Sequence, residues 1–70
     1  MMNGVQNNQM FAICPKGYVI EDFSLFDDVE DAKESALDWS AELGGEGVMV
    51  YEAIQGNYGY DYKPICEVFA

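Results

Sequence analysis

Apolar residues fall in two different rhythms along this chain. Met10-Phe11-Ala12-Ile13-Cys14 is a short run of strand composition, and Tyr18 to Phe23 resumes that character after Pro15-Lys16-Gly17. Proline presets φ and glycine accepts positive φ, so the trio is turn chemistry and the two runs are expected to form a β-hairpin. The rhythm then changes. Between Val29 and Leu43, the residues Val29, Ala32, Ala36, Trp39, Ser40 and Leu43 share one stripe at about 100° per residue, with Leu37 on its flank. Asp28 stands where it can cap the first exposed amides, and Glu30 and Asp31 put negative charge in the first turn, where the helix dipole favours it. Asp27 with Glu30 is the alternative start, in the spacing of a capping box. Gly44-Gly45 offers a left-handed stop, and Gly47 lets the chain reverse. Val48 to Ile54 returns to β-branched and aromatic residues. Gln55 to Tyr62 reads as a turn region with its reversal at Gly56-Asn57. Lys63 to Ala70 is the last strand, in which Pro64 belongs at an edge, a bulge or the first position because it has no N–H to give.

The order is ββαββ, an α+β class with a four-stranded antiparallel sheet and one helix packed on one face. If the strands lie in the order second, first, third, fourth, all neighbours are antiparallel and the helix carries the crossover. The other sheet face is then expected to be open to solvent or to a partner. Residues 1–9, rich in Asn and Gln without a sustained period, are expected to be a flexible N-terminal tail, and residues 10–70 a single domain. With 70 residues and half of them apolar, the chain has the material for one modest core.

Charge changes the picture. Thirteen Asp and Glu against three Lys give a net charge of −10, which disfavours contact with nucleic acid or anionic lipid and favours a basic partner. No apolar run approaches the roughly 18 residues that span a bilayer, and Met1 to Met10 has no basic or apolar segment of a signal peptide. The expected compartment is therefore the cytoplasm. Cys14 and Cys66 are too few for a zinc site, and both sit in strand-like runs; buried thiols are the first expectation and a disulfide between neighbouring strands the second.

The helix concentrates the acid. Ten of the thirteen carboxylates lie between Glu21 and Glu46. Asp31, Glu34, Asp38 and Glu42 fall within about 80° of one another opposite the core stripe, with consecutive members roughly 5–6 Å apart. Like charges at these separations destabilise a helix, and only Lys33 relieves them. One reading is a row of charges imitating a phosphate backbone, with Asp27, Asp28 and Glu46 as flanking contacts. The plainer reading is a solvated helix face. A second candidate is Asn57-Tyr58-Gly59-Tyr60-Asp61-Tyr62, whose tyrosines offer amphipathic contact area at low entropic cost, with Tyr58 and Tyr60 as candidate anchors. The plainer alternative is a distorted hairpin whose alternate tyrosines pack on the sheet.

Catalysis has little to work with. Without histidine there is no Ser–His or Cys–His pair, the glycines at 44, 45 and 47 follow the helix rather than open it, and Asp27 to Asp31 lacks the glycine and spacing of a calcium loop. The expectation is no enzyme, no cofactor and no metal.

In size, charge and ββαββ pattern over residues 10–70, the chain resembles the small acidic proteins of bacteriophages and mobile elements. Many of these inhibit a host nucleic-acid enzyme, and anti-CRISPR proteins are one such group. The resemblance implies an inhibitor or regulator acting in the host cell cytoplasm. Its partner would be a basic, nucleic-acid-binding protein, with no direct contact to nucleic acid or membrane. The alternative is a non-catalytic structural module that pairs as a homodimer through its open sheet face.

Overall fold

The strand registers fix which side chains share a face. A computed structural model describes residues 9–19 and 25–70 and gives the order β1 (Met10–Pro15), α1 (Val29–Glu42), β2 (Val48–Gly56) and β3 (Gly59–Val68). The three strands form one antiparallel sheet in the order β1-β2-β3. Successive side chains on a strand point to opposite faces. The registers Ile13↔Val50 and Val50↔Cys66 therefore place Phe11, Ile13, Val48, Val50, Cys66 and Val68 on one face. That face meets α1: Phe11, Ala32, Ala36, Val48 and Val50 are buried together, with Ile13, Phe26, Val29, Trp39, Leu43, Cys66 and Val68 packed around them. Complete burial of Val48 and Val50 contributes about 1.5–3 kcal/mol each.

The sheet has three strands among the described residues, where four were expected. The expected second strand, Tyr18–Phe23, lies mostly outside the described residues, as does nearly all of the expected tail, residues 1–9. Its described part, Tyr18 and Val19, is exposed and belongs to no strand. The turn before it is described. Tyr18 N–H donates to the Pro15 carbonyl at 3.0 Å, and Gly17 takes φ +89°, the left-handed value required at the third position of a type II turn. Such a turn does not match the twist of a tight hairpin. The outer edge of β1 is met instead by Phe26, whose N–H and carbonyl exchange hydrogen bonds with Phe11 at 2.8 and 2.7 Å.

Helix α1 starts and stops as its sequence dictates. Asp28, in extended conformation, accepts a hydrogen bond on Oδ1 from the Glu30 N–H at 2.9 Å, so Asp28 rather than Asp27 is the cap. At the other end, Gly45 N–H reaches the Ser40 carbonyl at 2.8 Å and Gly44 N–H the Ala41 carbonyl at 3.1 Å, with Gly44 at φ +79°. This is a Schellman closure, and it needs a residue without Cβ at position 44.

Ser40 is the one buried polar residue among those described. Its hydroxyl donates to the Glu46 carbonyl and accepts from the Ala70 N–H at 2.9 Å, tying the end of α1 to the lead-in of β2 and to the chain beyond β3. A buried hydroxyl with both its donor and an acceptor site used costs little to bury.

β3 is an outer strand, and the β2–β3 register slips between Val50 and Tyr51, which pair with Cys66 and Pro64. The slip leaves Ile65 as the extra residue of a bulge beside Pro64, so the proline sits where a missing N–H breaks no ladder. The reversal is at Asn57-Tyr58, between the paired Gly56 and Gly59, one residue later than expected. Most of the expected turn region is strand: Gln55 and Gly56 extend β2, and Gly59 to Tyr62 open β3.

The sheet face turned away from the helix is not bare. Ala12, Cys14 and Ala53 project there by the alternation and are buried, while Met10, Met49, Tyr51, Tyr60 and Tyr62 are half-buried. Cys14 and Cys66 are on non-neighbouring strands and on opposite faces, so they are not bonded to each other, and the disulfide considered from the sequence is ruled out. Among the described residues no helix is long and apolar enough to cross a membrane.

Candidate acidic docking face

One face of α1 concentrates the carboxylates. With Ala32, Ala36 and Ser40 buried against the sheet, Asp31, Glu34, Asp38 and Glu42 project the other way, and all four are exposed. Their spacing of three or four residues sets them roughly 5–6 Å apart along the helix. Asp27 and Asp28 precede the helix along the chain and Glu46 follows it; all three are exposed.

Little within the chain neutralises this row. The one ion pair among the described residues joins Lys33 Nζ to Glu30 Oε2 at 3.9 Å, on the flank of the face and with both side chains well exposed. An exposed pair at that distance contributes a few tenths of a kcal/mol at most. The end of the helix is more telling. No basic residue lies in the last turn, and Glu42 stands where the helix carries its partial negative charge. Acid at the first turn is stabilising, but acid at the last turn is not, and here both ends carry it.

The residues singled out from the sequence divide into two groups. Asp27, Asp28, Asp31, Glu34, Asp38, Glu42 and Glu46 follow one another along the helix and its flanks. Asp28 has a structural task as well, because its carboxylate holds the Glu30 N–H. The tyrosines are elsewhere. Tyr58 is fully exposed at the tip of the β2–β3 hairpin. β1 pairs with β2 no further than Met10↔Ala53, so the described residues 54–61 form a two-stranded arm beyond it. Phe26 is held on Phe11, so the arm leaves from the end of the sheet where α1 begins. Tyr60 projects from the sheet face opposite the helix, with its ring 6.3 Å from Tyr62; Tyr62 in turn meets Tyr51 edge-on at 6.3 Å. Tyr60 is therefore part of a cross-strand aromatic cluster and not a neighbour of the acidic row, as the plainer reading of the tyrosine segment has it.

Two features escaped the sequence reading. Leu37, expected on the flank of the core stripe, is 44% exposed, with Glu34 one turn before it and Ala41 one turn after. Its helical angle, closer to Glu34 than to Ala36, was the available signal. Tyr51 carries no sequence signal beyond strand propensity. Burial raises its phenol above the usual value, and the neighbouring Cys14 thiol is a second, smaller cause.

Among the described residues no group of three or more Cys, Asp or Glu side chains is placed to hold a metal ion. The acidic row is spread along a helix rather than convergent, which suits an extended contact more than a point ligand. Comparison with protein-family models, characterised proteins and solved structures found no match to this chain.

Proposed function

We propose that this protein is a small acidic inhibitor or regulator that docks the exposed face of α1 on a basic, nucleic-acid-binding surface of a partner protein, in the manner of phage-type and anti-CRISPR-like inhibitors. The observation that carries the reading is the unneutralised row Asp31, Glu34, Asp38 and Glu42, continued to a helix end where acid opposes the dipole. A helix kept for stability alone gains from lysine at those positions. The row offers a basic groove what a nucleic-acid strand offers, regularly spaced negative charge, and it steers encounter through the long-range field. Leu37, exposed beside Glu34, gives the face an apolar edge where a desolvated contact adds affinity. Asp27, Asp28 and Glu46 flank the row along the chain, and Tyr58 at the hairpin tip is a separate anchor. Tyr60, engaged with Tyr62, contributes to the hairpin first.

The test is capture from a native cell lysate by immobilised protein at low and high salt, with mass spectrometry of what is retained. Wild-type protein is expected to hold a nucleic-acid-binding protein at low salt, to release it at high salt, and to lose it to added duplex DNA. The triple variant Glu34→Lys, Asp38→Lys, Glu42→Lys is expected to fold and retain none of it. Equal capture by the triple variant, or a captured protein that DNA does not displace, overturns the reading.

A further inference from the structure

We draw no further inference here: the strongest candidate, the half-buried patch of Met10, Met49, Tyr51, Tyr60 and Tyr62 on the sheet face turned away from the helix, is an apolar surface for which nothing in the structure shows what covers it.

Discussion

A single hydroxyl links three parts of the chain. Ser40 sits on the core stripe of α1, where a small residue is needed, and it satisfies the Glu46 carbonyl and the Ala70 N–H at once. Ser40→Ala keeps the size but leaves the Glu46 carbonyl without its donor. The expected cost is about 1–2 kcal/mol, read as a lower urea midpoint with an unchanged slope. Tyr51 gives a second residue-scale prediction. Its phenol titrates above the ordinary value of 10.0 in the folded state. Above pH 10 the unfolded chain therefore gives up this proton more readily than the folded one, and stability falls as pH rises. Below pH 10 the phenol is protonated in both states and contributes no slope. Tyr51→Phe is expected to flatten the alkaline limb of the stability profile relative to wild type, measured by urea unfolding between pH 9 and 11. Parallel alkaline limbs in the two proteins would show that other groups set it.

At the scale of an element, helix α1 carries charge that works against its own stability. Its cap, its glycine stop and its buried stripe all favour folding, yet the last turn carries Glu42 and no cation. Replacing Glu42 by Lys removes a repulsion with Asp38 and complements the dipole, so Glu42→Lys is expected to raise stability by about 0.3–1 kcal/mol. Under the proposed function the same change weakens capture of the partner. Greater stability with weaker capture marks the residue as one kept for contact, whereas greater stability with unchanged capture assigns it to the solvated background. The hairpin is read differently. Ring contacts join Tyr60 and Tyr62 along β3 and Tyr62 to Tyr51 across the strands, while Tyr58 stands fully exposed at the tip.

Across the whole molecule, thirteen carboxylates against three lysines make self-repulsion a standing cost. Raising NaCl from about 20 mM to about 500 mM shortens the Debye length from roughly 20 Å to less than 5 Å. Stability is expected to rise over that range, measured by thermal unfolding, while under the proposed function capture of the partner falls. Stability that falls with salt would mean that attractions such as Lys33–Glu30 outweigh the repulsion. The helix and the strands it covers were legible in the sequence because capping, glycine stops and apolar spacing are local signals. The acidic face was legible for the same reason, since helical periodicity alone sets side chains around an axis. The Phe26–Phe11 bridge was not, because a proline–glycine turn fixes a reversal but not which later residue meets β1.

By itself the sequence determined the extent of α1 and its start at Asp27 or Asp28, the strand character of β1, β2 and the end of β3, and the row of carboxylates opposite the core. These follow from interactions that reach four residues or fewer along the chain. Tertiary structure decided the rest. It placed Phe26 against Phe11, put Cys14 and Cys66 on opposite faces, drew Tyr60 and Tyr62 into β3, and used Ser40 to join segments up to thirty residues apart. Each of those depends on which strands lie side by side. Pairing of that kind is set by the sum of burial over the whole sheet, which no local stretch of sequence contains.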